Sequence, residues 1–543
     1  MNSSENESSI EPPEYAPVEA PVSNVRILNM SGILPYAVFA AMLFLYFTMT
    51  VDDAYITFRY ARNLLHGHGP VFNIGERVEG FTSPLHLLLS ALLMVVLPGI
   101  DILFKAKIVG ALFALLSLYL VNKFLREAGQ KQSTIIIVQL IMASNVNFAI
   151  TAVNGLETTL FGAMLLIFAI QLRRELIGNG RIWSGIILFI CLLTRPETLI
   201  LAPLVFGFRY LLAARFDSEQ RHRLMRMALQ FAIPSTIFFV VRYSYYGSLL
   251  PNTYYAKSLP MTQGILWGIR YLAHPLSQNA YNETGLFSSK HKLAFELAMA
   301  CFWSLAAIGA WNIRKQLEGR IALLAASASI IFILRCGGDW MTGWRFMIAA
   351  LPFIAYMQAI ALQEFAYKFF PIRKSMAGFA VVIMIWGSCL AISPKWPWNM
   401  VGYSTDGSTM LGATGNEGGL GALQIKMASE IAGRFPSNGP VAFSEMGYVG
   451  YANMGMKFLD VHGLIDAEIA RLKNVPRQTT GIYDIHWAEP TSPLYAILKR
   501  RRPDVIVGAA EGNPDRPLGL YHRTDFIENI PVYVRDGYIG HEK

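Results

Sequence analysis

The sequence predicts an α-helical multi-pass membrane protein with a C-terminal soluble α/β domain, and three observations predict it. Its 543 residues are 53% hydrophobic and only 15% charged, where soluble globular chains carry about 25% charged residues. The apolar residues also cluster in runs, as at 32–50, 105–121 and 376–392, each near the length that crosses a bilayer core. From residue 394 the composition turns polar and Gly-rich, and no spanning run follows. Together these exclude a cytosolic enzyme, a disordered chain and a disulfide-stapled secreted domain.

Residues 1–30 are Ser-, Glu- and Pro-rich and read as a disordered cytoplasmic tail. The net charge of +9, from 46 basic against 37 acidic residues, sits in short clusters between apolar runs. That is the cytoplasmic-loop signature of a membrane protein and not a nucleic-acid face. Basic connectors at 123–131, 173–181, 209–226, 314–320 and 368–374 mark the inside. Alternation then puts 151–158, 194–197, 242–292 and 335–345 outside, with the first loop, 51–104. Within that loop, 84–97 is short and carries His86, so it is expected to lie along the outer surface. The count comes to about eleven transmembrane helices in residues 31–393, an odd number that leaves the C-terminus outside. Residues 394–543 then form a domain of about 150 residues, large enough for its own core. Short strands are expected at 440–443, 457–461 and 504–507, and an amphipathic helix at 418–434. The cysteines Cys191, Cys301, Cys336 and Cys389 lie in or beside apolar segments at no metal-ligand spacing.

The chemistry concentrates in residues 51–84, VDDAYITFRYARNLLHGHGPVFNIGERVEGFTSP. Asp52 and Asp53 follow the first membrane run and precede Arg59, Arg62, His66, His68 and Arg77. Neighbours on a helix diverge by about 100°, so one aspartate is expected to act and the other to orient or coordinate. A carboxylate beside apolar walls at a membrane boundary is suited to general-base work. Four other outside segments add polar groups: Asn154 and Glu157; Arg195 with Glu197; Asn252, Tyr255 and Lys257; and Asp339, Trp340 and Arg345. Ionisable residues bordering spans are functional candidates by default. The plainer accounts are helix-terminal charge for Glu157 and local pairs Arg195–Glu197 and Asp339–Arg345. In the C-terminal domain, Asp460, His462 and Asp466 read either as an acceptor site or as a capped strand-end turn.

Carboxylates, cations and aromatics gathered on one face beside lipid fit a lipid-phosphate-linked sugar. The tail stays in the bilayer, cations hold the phosphate, aromatics stack on the sugar and a base activates the acceptor hydroxyl. On this reading Lys257, Arg345 and Arg195, then Arg59 and Arg62, are the phosphate cations. Glu157, Asn252, Tyr255, Asp339, Trp340, His66 and His68 are substrate contacts. Rival readings are a lipid-linked sugar transporter or flippase, which favours charges at the bilayer midplane, and a non-catalytic sugar-binding scaffold.

At these residues the chain resembles the type C glycosyltransferases. The pattern at 52–84 is similar to the terminal arabinofuranosyltransferases of mycobacterial arabinan and to their Gram-negative relatives, including the pilin arabinosyltransferase. NGLETTLF, LLTRPE, YYGSLLPNTYYAK, GGDWMTGWRF and FLDVHGLIDAEIAR look like further blocks of that group. The resemblance implies a multi-pass enzyme of a bacterial inner membrane with its active site and C-terminal domain periplasmic. It implies a polyprenyl-phosphate donor, D-arabinofuranose as the sugar, and a glycan or pilin Ser/Thr hydroxyl as acceptor, with mannose or aminoarabinose as rival sugars. It implies single-displacement inversion, with Asp52 or Asp53 as the base. Metal dependence is left open, since some type C enzymes need a divalent cation and others do not.

Overall fold

The computed structural model describes residues 30–213, 218–273, 289–339, 344–369, 422–435, 439–444, 446–472, 493–508, 520–527 and 530–538. The expected N-terminal tail, the run at 376–392 and Trp340 lie outside the described residues. The helices that frame the candidate site are α1 (Met30–Tyr46), α2 (Ala54–Leu65), α3 (Pro84–Val95), α4 (Ile102–Glu127), α5 (Gln132–Ala143), α6 (Val146–Val153), α7 (Thr158–Leu176), α8 (Ser184–Thr194), α9 (Thr198–Ala213), α10 (Ser218–Tyr246) and α11 (Asn252–Ala256).

By length and composition, four described helices are long and apolar enough to cross a membrane: Ile102–Glu127, Ser218–Tyr246, Glu296–Ile313 and Leu317–Cys336. A fifth arises if α5 and α6, bent by 61°, count as one broken span. The number among the described residues thus falls short of the expected eleven, and the breaks have local causes. Asn145 takes the amide of Phe148 at 3.0 Å and starts α6 anew. Arg195, which precedes Pro196, is extended at φ −150° and ψ 138°, as a residue before proline prefers, and so separates α8 from α9. Ile233, Ile237, Val240 and Val241 of α10 are exposed on the outside of the bundle, an apolar face suited to lipid. The protein is an integral membrane protein.

The C-terminal region folds around a five-stranded sheet of β1 (Val441–Phe443), β2 (Phe458–Asp460), β3 (Val505–Val507), β4 (Tyr521–Ile527) and β5 (Ile530–Arg535), ordered β2-β1-β3-β5-β4. The first three run parallel, and β5 and β4 are added antiparallel. β1, β2 and β3 form within the stretches expected to be strands. Apart from Asp460 they are apolar, because both faces of the sheet are covered. Alternation sends Ala442, Leu459 and Ile506 into a core on one face, with Ile497 and Leu498 of the helix Pro493–Arg501. Val441, Phe443, Phe458, Val505 and Val507 go the other way.

That second face is where the domain meets the membrane part. Ile56 and Tyr60 of α2, Phe72 and Phe81 of the first loop, and Leu87 of α3 share one buried core with it. The first loop therefore packs with the C-terminal domain as well as with the helices.

Candidate active site

α1 ends at Tyr46, and α2 begins at Ala54 with Asp53 as its N-cap. Between them the chain turns, so the adjacent carboxylates face different surroundings. Asp52 is 5% exposed and spends both oxygens on the C-terminal domain. Its Oδ2 accepts the amide of Gly447 at 3.0 Å, and its Oδ1 that of Tyr448 at 2.8 Å. Asp53 makes no side-chain cap bond to α2. It is half-buried and lies in the field of Lys257, Arg345, Asp339 and Glu157. Burial raises both carboxyls above the ordinary carboxylate range. For Asp53, Lys257 and Arg345 pull the other way while Asp339 and Glu157 add to the rise.

Behind Asp53 runs a chain of buried ion pairs. Arg345 Nε meets Asp339 Oδ2 at 2.7 Å. Arg195 Nη1 meets Glu157 Oε1 at 2.5 Å, and its Nε lies 2.9 and 3.0 Å from the two oxygens of Glu197. The Phe346 ring sits under both guanidiniums, at 4.9 Å from Arg195 and 5.2 Å from Arg345. Burial works to raise the Glu157 carboxyl, but Arg195, Arg345 and His86 together bring it down to about 2. Both short-range pairings expected from sequence form, and Arg195 binds Glu157 besides. In the sequence, His86 argues only against a span at 84–97. It is 5% exposed, it contributes to the field at Glu157, and its Nδ1 has no hydrogen-bond partner among the described residues.

Other sequence candidates stand elsewhere. Arg59 is 1% exposed, and its donors go to main-chain carbonyls. Nε bonds Phe72 O at 2.9 Å, Nη2 bonds Met456 O at 2.8 Å, and Nη1 reaches Gly450 O and Asn453 O. Arg62 is exposed, over the Tyr451 ring at 5.6 Å. His66 and His68 are exposed in the turn after α2. Asn252 Nδ2 donates to the carbonyls of Gly463, Leu464 and Asp466 at 2.7, 3.1 and 3.1 Å, and its amide to Glu79 O at 2.8 Å. Tyr255, on the same short helix α11, carries the Arg471 guanidinium over its ring at 4.5 Å. Lys257 closes α11, its amide bonded to Thr253 O at 3.0 Å. Asp466 caps the helix Ala467–Ala470, and Asp460 accepts the amides of His462 and Ile465, the capped-turn arrangement.

Sequence reasoning did not pair Glu79 with Arg242, although Arg242 borders a span and carries the default flag for such residues. They join at 2.7 and 2.8 Å, both buried. Among the described residues no three His, Cys, Asp or Glu side chains gather as they would around a cation. The carboxylates behind Asp53 are instead matched to arginines.

Residues 417–538 match the model of DUF8728, a domain of unknown function. Over 367 residues the chain is 27% identical to a terminal β-(1→2)-arabinofuranosyltransferase of Corynebacterium glutamicum, covering 57% of this chain and 47% of that one. The chain thus spans about half the length of this curated relative. Among solved structures it is similar to the apo oligosaccharyltransferase of Archaeoglobus fulgidus, with a TM-score of 0.54 and 12% identity over 89% of this chain and 70% of that one. It is also similar to ArnT of Cupriavidus metallidurans bound to undecaprenyl phosphate, with a TM-score of 0.53 and 12% identity over 95% of this chain and 100% of that one. Both are type C glycosyltransferases. The resemblance to type C glycosyltransferases that the first-loop motif implied is shown, and in fold this chain is similar to these two proteins.

Proposed function

We propose that this protein is an inverting membrane glycosyltransferase that moves D-arabinofuranose from a polyprenyl phosphate to a hydroxyl of a glycan or of a pilin Ser/Thr. On this proposal it works at the periplasmic face of a bacterial inner membrane. The observation that carries the reading is the division between the two aspartates. Asp52 is held by two main-chain amides, while Asp53 lies in the field of Lys257 and Arg345 with no cap bond of its own. The arabinofuranosyltransferase relative and the neighbour bound to undecaprenyl phosphate support the sugar and the carrier.

In the reaction, Asp53 takes the proton of the acceptor hydroxyl as that oxygen attacks the anomeric carbon. The bond from this carbon to the phosphate oxygen breaks, and its electron pair leaves with polyprenyl phosphate. The transition state is oxocarbenium-like. Lys257 and Arg345 stabilise the charge growing on the phosphate, a role that favours the transition state over the ground state. Arg195, flanked by Glu157 and Glu197, holds the wall behind Arg345 through the shared Phe346 ring.

The test is transfer by the purified protein from synthetic polyprenyl-phosphate arabinofuranose, mannose and aminoarabinose to oligo-arabinan and pilin-peptide acceptors. Arabinose-selective product that disappears in Asp53→Asn is the expected result. Selective use of another sugar overturns the arabinose assignment. Lipid translocation without transfer to any acceptor overturns the enzyme reading.

A further inference from the structure

We propose that the C-terminal domain is a clamp on the catalytic loop, with Asp52 as the positioning residue through which it sets Asp53. The inference rests on Asp53 being the base and assigns a role to the region matching the domain of unknown function.

Asp52 is fixed at two points. Its side chain accepts from Gly447 and Tyr448, and its carbonyl accepts the amide of Tyr55 at 3.0 Å in the first turn of α2. Asp53 follows directly, with its own carbonyl bonded to Ile56 N at 3.1 Å and no cap bond to orient its carboxyl. The direction in which Asp53 points is therefore inherited from the main chain that Asp52 anchors. Gly447 is the matching feature across the seam. A Cβ there would lie 2.0 Å from Asp52 Oδ2 and 2.3 Å from Asp52 O, so only glycine admits this approach.

The same domain holds the opposite wall of the site. Asn252 binds three carbonyls of the 463–466 turn, and Lys257 is the C-cap at the other end of α11. Arg59 threads the seam between these anchors, tying α2 to Gly450, Asn453 and Met456. Asn73 adds a two-way link, donating to Phe458 O at 2.8 Å and accepting Phe458 N at 3.0 Å. The base and the phosphate cation thus come from separate parts of the chain but are referenced to one domain. A displacement of about 1 Å between them costs on the order of a hundredfold in rate.

The experiment compares the full chain in lipid nanodiscs as wild type, Gly447→Ala, Asp52→Asn, the double variant and Arg59→Lys, with Asp53→Asn as the control on the base. Donor binding and thermal unfolding report folding in each. The clamp predicts that Gly447→Ala lowers kcat about a hundredfold while the donor KM stays within about twofold. The double variant falls no further than the worse single one, since both break one contact. Arg59→Lys, which inserts no Cβ into the seam, gives the same kcat-only loss in smaller degree, and so carries the test if Gly447→Ala does not fold. Amide exchange rises at 52–58 and 447–453 in all these variants. Wild-type kcat in Gly447→Ala beside a dead Asp52→Asn overturns the clamp and puts Asp52 on the substrate. A rise in donor KM alone for Arg59→Lys also overturns it, in favour of phosphate binding. Full activity in Asp53→Asn refutes the base assignment instead, and the exchange data still report whether the seam is coupled.

Discussion

Asp52 and Asp53 are neighbours in the chain, yet the regions they serve bury charge in opposite ways. On the Asp52 side the first loop meets the C-terminal domain through main chain: amides hold the carboxylate, and carbonyls hold Arg59. On the Asp53 side charges meet charges, in the pairs Asp339–Arg345 and Glu157–Arg195–Glu197. Main-chain groups do not move with substrate or pH, so the first region makes a rigid seat. Side-chain ion pairs form a preorganised field in a dry site, where each charge acts strongly on a developing charge. On the proposed roles, the difference lets one dipeptide supply both an anchor and a reactive group.

This contrast breaks most sharply at Asp53. Asp53→Asn is expected to lower kcat by about a thousandfold, within the range for losing a general base, with donor binding retained by isothermal titration. Next, Lys257→Met removes a charge from the leaving phosphate and is expected to cost about a hundredfold in kcat/KM, read from initial rates across donor concentrations. On the seam the larger truncation of Arg59 adds a loss of stability to the loss of rate. Arg59→Ala takes the Arg59 donor from the carbonyls of Gly450 and Met456, while Phe72 O keeps Asn63 Nδ2 and Asn453 O keeps Met456 N, and each buried acceptor left unmet costs about 1–3 kcal/mol. A lowered midpoint in thermal unfolding, with earlier proteolysis after residue 435, is the expected result. Smallest are His66→Ala and His68→Ala. Both side chains are exposed, so initial rates should stay within about twofold, as for other surface changes. A large loss in either would return the turn after α2 to the substrate site.

Much of this arrangement was legible in the chain and part was not. The Asp pair, the ion pairs Arg195–Glu197 and Asp339–Arg345, and strands β1 to β3 follow from residue type and spacing, because each depends on residues near in sequence. The seam was not legible. Arg59 in a cationic loop reads as a phosphate ligand, since nothing in its neighbours reveals four carbonyls about 390 residues away or in the next turn. Asn252 reads as a substrate contact for the same reason, yet its amide is spent on the 463–466 turn. Composition marks a change at residue 394 but carries no sign of the core that joins Phe72 and Phe81 to Phe443. Half-length helices such as α8 and α9 escaped an exact count of spans because Arg195 and Pro196 interrupt an otherwise apolar run.

The division of labour is tested most directly by the pH dependence of kcat/KM in wild type and Asp52→Asn. A base works only when ionised, and burial raises the Asp53 carboxyl. Activity should therefore fall as pH drops through a midpoint above about 4, the ordinary carboxylate value. The account predicts that Asp52→Asn lowers the whole profile and keeps this acid limb, while the residual activity of Asp53→Asn lacks it. An acid limb that vanishes in Asp52→Asn and survives in Asp53→Asn would contradict the account and exchange the roles of the two aspartates.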